Sequence, residues 1–317
     1  MKYYIPVICT LSALLTACGG GSGSVSGSGG GNSSTLAPFV KFSSIAVPGA
    51  VQINGSSQQV VYVYNTSISR VTSISAVTPF ISGASYVGTY DSNGLTTKAA
   101  LTSALGTTIT VDTGAGGVIS NLAAFPNVNV GISANKQDYV LSGRPQSPDW
   151  GWDYQTFGVW TTGAGTGTGT VGVASIGAET AASAIPVSGT GNFVGASGGR
   201  YVDSTGVNTF VGSDMTATAN FGTRSIAFAT TNTRTSTDLI TPSSNTNLNS
   251  SGTLSYSAWV NQFTGVISTV GGGASNVAMT GTATGKFYGP TAQEIGGTFA
   301  VTGSGAAYFG AFGGKQR

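Results

Sequence analysis

From about residue 39 onward the chain alternates apolar and polar positions in short runs, separated by turn residues. Clear examples are 60–64, 107–111, 128–132, 154–160, 210–228 and 254–267. A period of two with frequent Val, Tyr, Thr and Phe predicts half-buried strands. Between 215 and 221, Met215, Ala217, Ala219 and Phe221 share one face, while Thr216, Thr218 and Asn220 share the other. One face is therefore expected on a core and the other in water. Only 96–105 suggests a helix, with Leu95, Leu101 and Leu105 facing inward. The expected class is all-β.

Before residue 39 the pattern differs. Met1 and Lys2 precede a mostly apolar stretch from 3 to 15, closed by Leu15-Thr16-Ala17-Cys18. This run is shorter than the ~20 residues that cross a bilayer and reads as a secretory signal. Small residues before a cysteine resemble the bacterial lipoprotein signal, in which the cysteine is lipidated and becomes the first mature residue. Lipid on Cys18 would hold the protein on a membrane, since each buried methylene contributes about 0.8 kcal/mol. Gly19 after that cysteine favours the outer membrane. Residues 19–37 are almost wholly Gly and Ser and read as a flexible tether, with a root-mean-square span of ~21–25 Å. Cys9 lies inside the signal and Cys18 is consumed by lipid, so no thiol is left for a disulfide or a metal.

Composition narrows the chemistry. The 317 residues include 50 Gly, 7% charged residues and no His. Without imidazole there is no Ser-His-Asp triad, His-ligated zinc or proximal-His haem. A net charge of +2 is too small to track a phosphate backbone, which argues against nucleic acid as a partner. No cofactor and no metal site are expected.

Thr190-Gly191-Asn192-Phe193-Val194-Gly195 matches Thr284-Gly285-Lys286-Phe287-Tyr288-Gly289 at four of six positions. Each is followed by a glycine pair, Gly198-Gly199 and Gly296-Gly297, so two related hairpins of one closed barrel are expected. Glu294, one of two glutamates, has no second carboxylate near it in sequence, and is expected to cap backbone amides or form an ion pair. Pro290 suits the start of a short helical turn containing Gln293 and Glu294. Asp149-Trp150-Gly151-Trp152-Asp153-Tyr154 reads as the wet end of a strand with its rings in the core. Ser133-Ala134-Asn135-Lys136 follows a strand instead of opening a helix, so it does not support the Ser-x-x-Lys chemistry of penicillin-recognising enzymes. Asp91-Ser92-Asn93-Gly94 reads as a turn. The Ser/Asn-rich loop at 233–251 carries Arg234, Asp238, Leu239, Ile240 and Pro242. Loops of this length are usually functional, so Arg234, Asp238, Leu239 and Ile240 are the candidate ligand contacts.

Gly285-Lys286-Phe287-Tyr288-Gly289-Pro290, Ala292, Glu294-Ile295-Gly296-Gly297 and Phe299 resemble the closing motif of the transferrin-binding protein B family of surface lipoproteins. Tyr308-Phe309-Gly310-Ala311-Phe312-Gly313-Gly314-Lys315 resembles that family's last barrel strand, and 154–160 and 217–225 look like an early and a middle one. The resemblance implies an eight-stranded antiparallel β-barrel preceded by a smaller β-rich handle domain. The expected division is 1–17 signal, 18–37 lipidated Cys18 and tether, 38–138 handle, and 139–317 barrel. It also implies a scaffold that grips a protein or solute with loops or handle surface, for iron or other nutrient acquisition, alongside an outer-membrane transporter. The family's namesake has two such lobes and this chain has length for one. A structural or adhesive surface lipoprotein without cargo is the alternative; an enzyme is not expected.

Overall fold

A computed structural model of the protein describes residues 41–122, 125–143 and 151–317. The signal, Cys18, the tether and the Asp149-Trp150 pair lie outside the described residues. Residues 36–317 make one compact unit. All long elements are strands, joined by turns and short 3-10 segments.

The alternation is realised as expected where a strand has one dry face. Along 215–220, Met215, Ala217 and Ala219 are buried while Thr216, Thr218 and Asn220 are exposed. The stretch at 96–105, expected to be helical, is instead a strand to Thr102 followed by a turn; of its leucines and Leu95, only Leu101 is buried, while Leu95 and Leu105 face solvent.

Ten strands build the first sheet: β1 (Gly49–Asn65), β2 (Arg70–Ile74), β3 (Ile81–Tyr90), β4 (Thr96–Thr102), β5 (Thr108–Asp112), β6 (Val118–Leu122), β7 (Phe125–Ile132), β8 (Tyr139–Gly143), β9 (Gln155–Thr161) and β10 (Thr168–Gly177). Their order is β5-β4-β3-β1-β10-β9-β8-β7-β6, with β2 added to β1. The two edge strands, β5 and β6, are joined by only five residues, 113–117, which reach at most about 18 Å. Nine strands laid flat would put those edges roughly 38 Å apart. The sheet must therefore curl round until it nearly closes.

Nine strands build the second sheet: β11 (Thr190–Val202), β12 (Asn208–Asn220), β13 (Ser225–Ser236), β14 (Ser243–Ser244), β15 (Ser250–Tyr256), β16 (Phe263–Gly272), β17 (Ala278–Tyr288), β18 (Glu294–Gly303) and β19 (Ala306–Gln316). The β12–β13 pairing closes eight of them into an antiparallel barrel, and β14 hangs on β13 outside the ring. Closure removes the free edges that an open sheet would expose.

The strand at 154–160, expected in the barrel, belongs to the first sheet as β9, paired with β10 and β8. It is buried along its whole length because the first sheet's interior covers one face and the barrel's outer wall covers the other. The repeat is also placed differently. Its first copy opens β11, with Gly198-Gly199 inside that same strand, and its second closes β17, with Gly296-Gly297 in the next one. The copies are not two equivalent hairpins. Their phenylalanines do meet, with the rings of Phe193 and Phe287 6.1 Å apart inside the barrel.

Aromatic rings fill that interior, three of them seated over a glycine on the neighbouring strand. Phe299 faces Gly310, Phe312 faces Gly297 and Phe263 faces Gly285 in direct register. A Cβ on Gly310 would lie 2.1 Å from Phe299 Cζ, so the ring occupies the space a side chain would take. This is why a Gly-rich sequence makes a dense core instead of a loose one.

Candidate functional site

The family-like motif at 285–299 is a joint between the sheets. Glu294, at the start of β18, is fully buried. Its Oε1 accepts the Asp153 amide at 2.6 Å, and its Oε2 accepts those of Tyr154 and Gln155 at 2.9 and 3.0 Å. The expected role as a cap to backbone amides is thus the observed one. Burial pushes its carboxyl up to about 7, against the opposing pull of the three amides and Lys315. The helical turn expected at Pro290 is a plain turn, and Glu294 lies in the strand beyond it.

The two glycines that follow face opposite ways. Gly297 makes room inside for Phe312. Gly296 opens the outer wall to Gln155 and Ser175, whose oxygens would each stand 3.0 Å from an added Cβ. Tyr288 reaches out to share a 2.7 Å hydrogen bond with Ser175, and Thr180 donates to the Gly289 carbonyl at 2.6 Å. Trp152 is buried, its ring 6.1 Å from Phe157, so this part of the aromatic cluster is core. The joint holds the fold together and presents no open cleft for chemistry.

The loop predicted to carry contacts begins later than expected, because Thr233 to Ser236 complete β13. The β12–β13 register shifts between Gly212 and Asp214, loosening the wall there. A cavity of about 280 Å³ opens at this point, floored by Phe125 and Val128 of the first sheet. Arg234, Asn232, Asp214, Ser244 and Thr246 stand round it, and Asn232 donates to Asp214 at 2.7 Å.

The four predicted residues take different positions here. Arg234 is exposed at the cavity, in register with Ser244. Asp238 is turned onto its own loop, accepting the amides of Ile240 and Thr241 at 2.8 and 2.9 Å and the Ser236 hydroxyl at 2.7 Å. Those bonds, led by the Thr241 amide, hold its carboxyl well below the usual range. Leu239, with φ of 65°, drives into the apolar cluster between the two sheets and is only 6% exposed. It anchors the loop and is not available to a ligand. Ile240, next to it, is 79% exposed. A loop pinned by a buried leucine and capped by an aspartate holds an isoleucine in water, which is a preorganised apolar contact.

Sequence reasoning missed Arg200. It is buried on β11 with its guanidinium 3.7 Å from the Phe210 ring centroid, and its Nε and Nη1 have no hydrogen-bond partner. Burial lowers its pKa to about 10. The only signal was one arginine inside an otherwise small and aromatic strand.

Elsewhere the turn readings hold. Asp91 accepts the amides of Asn93 and Leu95 at 2.8 and 2.9 Å. Ser133 to Lys136 form a turn between β7 and β8. Glu179 pairs with Lys286 at 2.7 Å. No cluster of three or more metal-ligating side chains occurs among the described residues.

Residues 183–316 match the family model of the C-lobe and N-lobe beta barrels of Tf-binding protein B. Similar solved structures include a mutant of transferrin binding protein B from Haemophilus parasuis, 13% identical, covering 84% of this chain and 76% of that one at a TM-score of 0.45. Another is a mutant of the same antigen from Actinobacillus pleuropneumoniae, 13% identical, with 83% and 100% covered and a TM-score of 0.45. The N-lobe domain of lactoferrin binding protein B of Moraxella bovis is 14% identical, with 83% and 99% covered and a TM-score of 0.35. No curated protein matches the chain. Over 183–316 the chain thus carries a barrel similar to the C-lobe and N-lobe beta barrels of Tf-binding protein B.

Proposed function

We propose that the protein is a surface lipoprotein of the outer membrane, anchored by lipid on Cys18, that captures a protein ligand in the service of iron or other nutrient acquisition. The family match over 183–316 carries this reading. Relatives of this chain are described as transferrin and lactoferrin binding proteins, which are binding proteins and not enzymes.

The geometry supports a scaffold. The barrel interior is packed with buried aromatic rings, so contacts belong to the outside. The loop after β13 exposes Ile240, and Arg234 near the end of β13 is exposed at the cavity; apolar residues with an arginine are the composition of interface hot spots. In this reading Cys18 sets the location, the Gly/Ser tether supplies reach, and an outer-membrane transporter receives the cargo.

The test uses the chain from Gly19 onward, which retains the whole compact unit. Immobilised, it is exposed to serum and to spent culture medium, and bound proteins are identified by mass spectrometry. Enrichment of one protein from either source, reversed by competing soluble chain, supports capture. Binding to neither, with surface adhesion of cells still dependent on the protein, would favour an adhesin.

A further inference from the structure

The two curled sheets differ inside, although the first also has a buried core around Trp160. The barrel is filled by Phe193, Phe228, Phe263, Phe287, Phe299 and Phe312, all fully buried. The first sheet instead encloses a cavity of about 550 Å³, walled by β3, β4 and β6 to β10. That volume lies within the range of sites that take drug-sized ligands.

Its lining is two-sided. Leu101, Val140 and Ile176 give an apolar wall, while Tyr86, Tyr90 and Asn129 bring polar groups. Tyr86 and Tyr90 converge over Gly88, where an added Cβ would lie 2.8 Å from one hydroxyl oxygen and 3.0 Å from the other. Asn129 Oδ1 is buried and accepts no hydrogen bond, and such a carbonyl oxygen costs about 1–3 kcal/mol unless a donor reaches it. Among the described residues no lysine or arginine lines the space. The carboxylate among them, Asp91, is occupied by the amides of its own turn. Burial raises both phenols, so they stay uncharged. Among the described residues a charged ligand would therefore find no counter-ion.

We propose that the lumen of the first sheet binds a neutral amphipathic small molecule, its apolar body against Leu101, Val140 and Ile176 and a hydroxyl or N–H donor on Asn129 Oδ1. This site is independent of protein capture at the barrel loop. A protein with both could carry a solute and a protein ligand separately.

N-phenyl-1-naphthylamine, neutral and fluorescent with one N–H donor, is a suitable probe for the chain from Gly19 onward. The expected result is saturable fluorescence at one probe per chain, with probe-dependent hydrogen-exchange protection on β3, β7 and β8. Ser142→Trp, filling the lumen, should weaken binding at least tenfold. Trp259→Ser, removing an exposed ring on a barrel turn, should leave it unchanged. Thr97→Trp on the opposite wall replaces the first variant if that one does not fold, and the protection map of the unsubstituted chain decides if neither folds. Uptake without saturation, protection on barrel strands only, or equal affinity in a folded lumen-filling variant overturns the proposal.

Discussion

Glu294→Ala removes the one acceptor shared by the amides of Asp153, Tyr154 and Gln155. Each buried N–H left without a partner costs about 1–3 kcal/mol, so for three amides the uncharged side chain is worth roughly 3–9 kcal/mol at this joint. The pH dependence follows from its folded pKa of about 7 against an ordinary 4.5. A carboxyl with a raised pKa holds its proton more tightly in the folded chain than in the unfolded one. Its contribution is therefore greatest below 4.5 and is lost as the pH rises through 7. At 1.36 kcal/mol per pH unit, that separation corresponds to about 3 kcal/mol. Urea unfolding of both proteins from pH 4.5 to 8 measures the gap directly. The wild type should exceed the variant by most in acid, with the gap shrinking by about 3 kcal/mol toward pH 8. A gap that is constant, or that widens with pH, would mean the three amides outweigh burial and keep the carboxylate ionised, and would refute the reasoning.

Three further substitutions probe the rest of the molecule. Arg200→Met replaces a buried cation lacking partners at Nε and Nη1 by an apolar stem that still contacts Phe210; stability by chemical denaturation should rise by about 1–3 kcal/mol, and an equal fall would show that the charge is compensated. Phe287→Ala empties the centre of a ring cluster, with Phe263, Tyr256 and Phe221 centroids 5.5, 5.4 and 5.8 Å away; a loss of about 3–5 kcal/mol is expected, and a loss under 1 kcal/mol would contradict a tightly packed barrel. Leu239→Ala should cost about 2–4 kcal/mol, whereas Ile240→Ser should change stability by under about 0.5 kcal/mol; equal effects would deny the division between anchor and contact.

What the sequence reveals here depends on how far each signal is local. The Met215 to Asn220 alternation translates directly into inward and outward faces, because a strand's two sides need nothing beyond the pleat to define them. Glu294 as an amide cap was legible from its isolation among uncharged residues. Sheet membership was not. β9 reads like a barrel strand because both of its faces are buried, and alternation says nothing about which neighbour covers each face. Leu95, Leu101 and Leu105 suggested a helix, but three leucines are too few to set a period, and neighbouring strands on both sides fixed the segment as β4. In the 233–251 loop, polarity and length suggested exposed chain, which holds at Asp238 and Ile240 but not at Thr233 or Leu248. They could not show that Leu239 turns inward while Ile240 turns outward, a choice made by the positive φ at Leu239.

The central claim is that a filled barrel acts as a scaffold and captures protein through the loop after β13. The most direct measurement is the affinity of the captured protein for the wild-type chain and for the double variant Arg234→Glu, Ile240→Asp, with both shown to be equally stable. The account predicts at least a tenfold weaker complex for the double variant. Unchanged affinity would contradict it, because the contact would then lie elsewhere on the molecule.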